Sequence, residues 1–235
     1  FRSSYNVNIV EMISIMENAP ELDIRNVDTE PEKTGEGLTL AVARDAAFCF
    51  YYRDNIEMFE ERGVKIKYFS PINDDRVPQD VDGLLLGGGY PENYLDKLSG
   101  NKSMLLSIKN LIDENIPSLA ECGGFMYLLE MLEDSGDKLR PMAGVLRGTA
   151  SNRGRLGRFG YITLHDRGMS DETLITGLCI KGHEFHYFDS DNNGSAAVAV
   201  KPGSGRSWEC IHTGSGYIWG YPHLWYPSCP QLIER

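Results

Sequence analysis

Cys122 sits in Leu119-Ala120-Glu121-Cys122-Gly123-Gly124-Phe125-Met126, where an apolar run that reads as a strand meets one that reads as a helix. Ala120 and Gly124, two residues to either side of the cysteine, are small. A sharp strand-to-helix elbow requires this, because larger side chains collide across the turn. A thiol of ordinary pKa is only about 3% ionised at pH 7, and a helix amino terminus favours the thiolate. The spacing therefore predicts an exposed, activated sulfur able to attack a carbonyl carbon. Cys49, Cys179, Cys210 and Cys229 have no such setting and read as small core residues.

Attack by a thiolate leaves negative charge on the carbonyl oxygen, and backbone N–H groups stabilise it only where no Cβ blocks their approach. Gly87-Gly88-Gly89-Tyr90-Pro91-Glu92 follows an expected strand and offers such donors; the N–H of Gly123 supplies another. A base must also be present, close in space but distant in sequence. Of His165, His183, His186, His212 and His223, the last, in Tyr221-Pro222-His223-Leu224-Trp225, is the candidate. His183-Glu184-Phe185-His186 alternates across a strand, so 183 and 185 share one face while 184 and 186 share the other. The two histidines cannot grip one ion together, and no metal site is expected.

The elements that must position these groups follow from periodicity. Ile9, Met12, Ile13 and Met16 recur at helical spacing, which predicts an amphipathic helix over 5–18 within a segment 1–20 that belongs to a preceding domain. Residues 21–37, rich in acids, proline and glycine, read as a linker, and 38–235 as the domain proper. Within it, strands are expected at 38–43, 64–69, 83–86 and 117–121, alternating with helices at 55–62, 102–115 and 123–132. That alternation means a parallel α/β sheet. Shorter β-like pieces at 158–164, 184–188, 196–200 and 208–213 predict an antiparallel extension packed on the core.

Composition narrows the functional class. The 235 residues carry 23 Lys+Arg against 34 Asp+Glu, a net charge of −11, which argues against nucleic acid as the main partner. The longest apolar runs fall far short of the roughly 20 residues that span a bilayer, so no membrane role is expected. Five cysteines without a CxxC pair support neither a disulfide framework nor a zinc knuckle. With no secretory signal visible, the expectation is a cytoplasmic protein with reduced thiols. The start at Phe1 rather than Met suggests a piece of a longer protein. One basic segment stands out: Arg147, Arg153, Arg155 and Arg158 occur with no acid from 147 to 158. It reads either as a solvated loop or as a docking surface for an absent domain or an anionic substrate.

Four ordered motifs, Ala41 to Asn55, Leu86-Gly-Gly-Gly-Tyr-Pro-Glu92, Ala120-Glu-Cys-Gly-Gly-Phe-Met-Tyr-Leu128 and Gly182-His-Glu-Phe-His-Tyr187, resemble the cobyrinate a,c-diamide synthase family from about 38 to 230. The resemblance implies a carboxy-terminal class I glutamine amidotransferase domain with a flavodoxin-like α/β core. It implies a glutaminase: Cys122 as nucleophile, His223 as base, Gly88, Gly89 and Gly123 at the oxyanion and substrate, and His183 and Phe185 lining the glutamine pocket. The family's amino-terminal half is a P-loop synthetase that uses ATP and Mg. No G-x-x-x-x-G-K-[ST] occurs here, since Lys102-Ser103 follows Asn101, so this chain is expected to hold no cofactor. Its implied partners are glutamine, that synthetase domain and, through it, a tetrapyrrole polycarboxylate: cobyrinate, or alternatively Ni-sirohydrochlorin or the substrate of cobyric acid synthase. Class I enzymes commonly carry a Glu two residues after the catalytic His; here that position is Trp225, which leaves the third member of a triad unassigned. Two other readings are a catalytically weak binding module, which Trp225 favours, and a generic cysteine hydrolase, which would lack the Gly182 to Tyr187 strand.

Overall fold

The computed structural model describes residues 8–21, 32–134, 138–169 and 172–234. The chain divides into a short unit, residues 1–31, and a large one, residues 32–235. In the first, helix α1 (Ile9–Glu17) starts where the Asn8 side chain accepts a hydrogen bond from the Glu11 N–H. The amino-terminal part of the expected helix and most of the acidic linker, residues 22–31, lie outside the described residues.

The large unit opens with strand β1 (Thr39–Ala43), helix α2 (Arg53–Glu61), β2 (Lys65–Phe69), β3 (Gly83–Leu86), α3 (Leu95–Gly100), α4 (Lys102–Asp113), β4 (Ser118–Glu121) and α5 (Gly123–Leu128). Strands β1 and β3 are short apolar runs, Leu-Ala-Val-Ala and Leu-Leu-Leu, with every one of those side chains buried, as strands covered on both faces must be. There follow β5 (Leu129–Glu133), β6 (Leu139–Pro141), β7 (Leu146–Asn152), β8 (Arg158–Asp166), β9 (Cys179–His186), β10 (Phe188–Ser190), β11 (Ala197–Val200), β12 (Ser207–Cys210), β13 (His212–Thr213), β14 (Tyr217–Gly220) and β15 (His223–Leu224).

The principal sheet has the order β13-β14-β4-β3-β1-β2, and all neighbours but β13 and β14 run parallel. Its parallel strands follow the 2-1-3-4-5 order of flavodoxin-like sheets, with β14 as the fifth; such sheets place ligands beyond the carboxyl ends of the strands. A second sheet, β12-β11-β8-β9-β15, is antiparallel, and β8 and β9 pair from Arg158↔His186 to His165↔Cys179. Two residues of β15 add to its edge with His223 opposite His183. A small third sheet joins β10, β7, β5 and β6.

Three expectations change. The helix expected over 123–132 stops at Leu128, and Leu129 to Glu133 pair as a strand with β6 and β7. Leu129 and Leu132 are both buried at a three-residue spacing, which reads as helical periodicity; the register with β7 also shifts here, the step from Leu129 to Met131 facing Leu146 to Thr149, with the extra residue in β7. The single strand expected over 208–213 is two. Ile211 adopts φ 72°, and the chain there leaves the antiparallel sheet for the parallel one. Strand β14, which completes the parallel core, is not flagged by periodicity, nor are α3, β6, β7 and β15.

Candidate active site

Cys122 occupies the elbow between β4 and α5 with φ 48° and ψ −103°, a conformation L-residues rarely hold outside functional sites. Two contacts hold it there. Its N–H donates to the Gly220 carbonyl at 2.8 Å, and its carbonyl accepts from Met126. The small residue at 124 is needed for a specific reason: a Cβ there would lie 2.0 Å from the Leu86 carbonyl oxygen, so α5 packs on β3 only through glycine. The Gly124 N–H reaches the Gly87 carbonyl at 2.9 Å across that contact.

The three consecutive glycines meet three different neighbours. A Cβ on Gly87 would strike the Tyr51 ring, on Gly88 the His223 ring at 2.2 Å, and on Gly89 the Ala47 carbonyl oxygen at 2.1 Å. Gly88 donates its N–H to the Phe50 carbonyl at 3.2 Å, so in this arrangement that group is engaged. The Gly89 N–H has no acceptor among the described residues and lies 3.0 Å from where a Gly123 Cβ would be. Of the two loop glycines, Gly89 is therefore the one with a donor to offer. The Gly123 N–H is directed at the Cys122 sulfur.

The sulfur is not exposed, contrary to the expectation from the elbow alone. Cys122 is only 6% exposed, and burial, with the nearby Glu92 carboxylate adding to it, pushes its thiol up to about 12; the Gly123 N–H opposes this only in part. A six-residue helix amino terminus does not outweigh desolvation. The resting thiol is protonated.

His223 is buried at the start of β15. It stacks on His183, centroids 4.8 Å apart, with Phe50 edge-on at 4.6 Å. Burial, reinforced by His183 and His186, lowers its pKa to about 3, which keeps the imidazole neutral. Its Nδ1 is buried without a hydrogen-bond partner and faces Glu121 Oε2 at 3.9 Å. Glu121, the residue before Cys122, is itself held by the Tyr226 hydroxyl at 2.9 Å and the Leu224 N–H at 3.3 Å, and burial raises its carboxyl to about 8. Trp225 turns away: its indole N–H donates to Asp54 at 3.3 Å.

His183 is half-buried, with Nδ1 2.6 Å from the Tyr52 hydroxyl, and belongs to the His223 cluster. Phe185, on the same face of β9, is largely exposed and packs edge-on to Phe159 and Tyr187. On the opposite face Glu184 and His186 are buried and hydrogen-bonded to each other at 3.0 Å. His212 stacks on Phe125, and His165 lies in the β8–β9 ladder. Among the described residues no three His, Cys, Asp or Glu side chains converge as a metal ion requires.

Two residues escaped the sequence reading. Glu121 was visible only as a neighbour of the cysteine, since nothing in sequence says that β15 will bring His223 over it. Glu92 follows the triple glycine; its Oε2 is buried with no partner, and burial raises its carboxyl to about 7.

The model of the CobB/CobQ-like glutamine amidotransferase domain matches residues 39–225. Among curated proteins, a cobyrinate a,c-diamide synthase of Fusobacterium nucleatum is 41% identical over 204 residues, covering 85% of this chain and 44% of that protein. One of Salmonella typhimurium is 38% identical, covering 87% of this chain and 45% of that protein. The chain thus spans about half the length of the curated relatives it matches. Among solved structures, a glutamine amidotransferase from Thermotoga maritima superposes with TM-score 0.52 at 15% identity, covering 84% of this chain and 81% of that one. PurLQS from the same organism superposes with TM-score 0.52 at 18% identity, covering 79% and 87%. These structures share the fold. From the family match and the identities, the chain belongs to the CobB/CobQ-like glutamine amidotransferase family and is a class I glutamine amidotransferase domain.

Proposed function

We propose that the domain hydrolyses glutamine to glutamate and ammonia through a thioester on Cys122. The observation that carries this is the meeting of the strained Cys122 elbow with the backbones of Gly123 and Gly89, where a Cβ on Gly123 would lie 3.0 Å from the Gly89 nitrogen and 2.9 Å from Pro91. The Gly89 N–H is the donor for the oxyanion, and Gly123, now against the sulfur, is the second once the sulfur has moved onto carbon. As Cys122 Sγ bonds to the carboxamide carbon, its proton passes to His223. The tetrahedral species then breaks its C–N bond, and His223 returns the proton to the departing ammonia. Water, deprotonated by His223, adds to the thioester and releases glutamate with the thiol restored. When His223 is cationic, Glu121 receives its Nδ1–H, the task that a carboxylate after the histidine performs elsewhere in class I enzymes.

Glu92 is the partner for the substrate's α-ammonium group. An unpaired buried carboxyl near Cys122 welcomes a cation, and that cation also eases ionisation of the thiol by offsetting the Glu92 charge. Replacing Glu92 with glutamine is expected to raise KM about tenfold, the worth of one charge-assisted hydrogen bond, with a smaller change in kcat. Steady-state kinetics of ammonia release check this; an unchanged KM removes the assignment.

The names of the curated relatives support the wider role: supply of ammonia to an ATP-dependent synthetase domain, outside this chain, that amidates carboxylates of cobyrinate or a related tetrapyrrole. ATP and Mg belong to that domain. Among the described residues no helix is long and apolar enough to cross a membrane, and a cytoplasmic site of action accords with the family's soluble substrates.

The test is chemical labelling. Cys49 and Cys179 are exposed whereas Cys122 is buried and protonated, so a simple alkylating reagent is expected to modify the first two faster. An electrophilic glutamine analogue should reverse the order and label Cys122, because binding delivers the electrophile to the sulfur and glutamine competes. Peptide mapping that finds the analogue on Cys49 and Cys179 but not on Cys122 overturns the reading.

A further inference from the structure

A cavity of about 750 Å³ lies on the antiparallel side of the large unit, lined by Arg153, Arg155, Arg158 and Arg206, with Asp189 as the only acid among the described residues. Three of these arginines come from the basic segment seen in sequence. Arg147, from the same segment, does not line the cavity; Arg206 joins from the turn between β11 and β12. The side chains of Arg153, Arg155 and Arg206 have no carboxylate partner among the described residues. Asp189 accepts on Oδ1 from the Asn193 amide at 2.9 Å and the Ser190 N–H at 3.1 Å, so one acidic group faces four guanidinium groups.

Arg158 forms the fixed inner wall. Its guanidinium lies over the Trp208 ring at 5.3 Å, and its NH1 is 3.8 Å from buried Glu184. Glu184 spends its own acceptors on His186 at 3.0 Å and Trp208 at 2.8 Å, so the Arg158 NH1 is buried without a hydrogen bond. A guanidinium fork is shaped for the two oxygens of a carboxylate or phosphate. Four of them converge from two segments on a concave space of a size that holds small ligands. On a chain of net charge −11, such a pocket is where an anion is drawn.

We propose that this cavity binds a small molecule carrying at least two carboxylate or phosphate groups. Concavity favours such a ligand over an acidic protein surface, which meets exposed arginines across a flat or convex face. None of its lining residues belongs to the Cys122 and His223 machinery, and its assignment does not rest on the glutaminase reading.

Calorimetric titration of the full chain with citrate, pyrophosphate and acetate tests it, at about 50 and 200 mM salt. One site is expected that takes citrate or pyrophosphate at least tenfold more tightly than acetate and weakens with salt. The tighter of the two polyanions tells whether carboxylate or phosphate is the preferred chemistry. Arg153→Ala with Arg155→Ala, and separately Arg206→Ala, should each lose about tenfold or more, whereas Arg147→Ala should bind as the unaltered chain does. The pocket variants should keep their glutaminase rate, which reports an intact fold. Equal affinity in the pocket variants, or polyanions bound no tighter than acetate, overturns the proposal. Tighter capture of a poly-glutamate peptide than of either polyanion also overturns it, since the surface would then be one for protein.

Discussion

Replacing Cys122 with alanine is expected to abolish glutamine hydrolysis, and His223→Ala to slow it by roughly 10²–10⁴-fold. The double variant should be no slower than Cys122→Ala alone, because groups that pass one proton between them act as a unit. The reason for so large a histidine effect is the resting state of the sulfur. With the thiol pushed up to about 12, a preformed thiolate is too scarce to carry turnover, and attack requires a base at the moment the S–C bond forms. His223, lowered to about 3, is unprotonated across the whole working range, so a rate loss between pH 7 and pH 5 from its titration is not expected. Ammonia release measured from pH 5 to 9, with circular dichroism to show that each variant folds, checks both statements. A His223→Ala rate within threefold of the unaltered chain, or a clear inflection near pH 6.5 that disappears in that variant, would falsify the assignment of His223 as base.

Much of this site was legible in the sequence, and the part that was not has a common cause. The elbow is local: Ala120, Cys122 and Gly124 are within one turn of each other, and the need for glycine at 124 follows from packing against the strand that any α/β unit places there. The triple glycine is likewise local, but which donor it offers is not. Phe50 captures the Gly88 N–H through an isolated bridge that no periodicity encodes, and the donor shifts by one residue to Gly89. Burial is the most distant property of all. The cover of His223 by Phe50 and the stacked His183 comes from the 50s loop and β9 and lowers the imidazole, while burial raises a thiol that an elbow in isolation would acidify. In the same way the arginines at 153, 155 and 158 announce positive charge, while their convergence depends on Arg206 arriving from another hairpin. The fold itself followed from alternating apolar runs where strands were covered on both faces. It failed after Leu128, where buried Leu129 and Leu132 keep a helical spacing inside a strand, and at Ile211, where a single residue changes the sheet.

Glu121→Gln should separate stability from activity in opposite directions. The glutamine keeps an acceptor for the Tyr226 hydroxyl and the Leu224 N–H but carries no charge toward His223 Nδ1. Burial holds the Glu121 carboxyl at about 8 in the folded chain, above its ordinary 4.5, so the folded state binds this proton more tightly than the unfolded state. Its contribution to stability is therefore complete below about pH 4.5, declines as pH rises toward 8, and is gone above that, with a slope of at most about 1.4 kcal/mol per pH unit. Glutamine has no such slope. The variant should melt near the unaltered chain at pH 5 and progressively above it toward pH 9, by a difference on the order of a few kcal/mol in urea titrations. Turnover should go the other way. Transfer of the cysteine proton leaves an imidazolium whose Nδ1–H faces a neutral amide, and a loss of about 10²-fold in kcat is expected, mostly in the chemical step. The pH profile distinguishes this positioning role from mere packing: the unaltered enzyme should gain activity as Glu121 ionises near pH 8, and the variant should lack that rise. A Glu121→Gln enzyme with an unchanged rate and the same inflection near pH 8 would leave Glu121 as a packing residue that tethers β15 and nothing more.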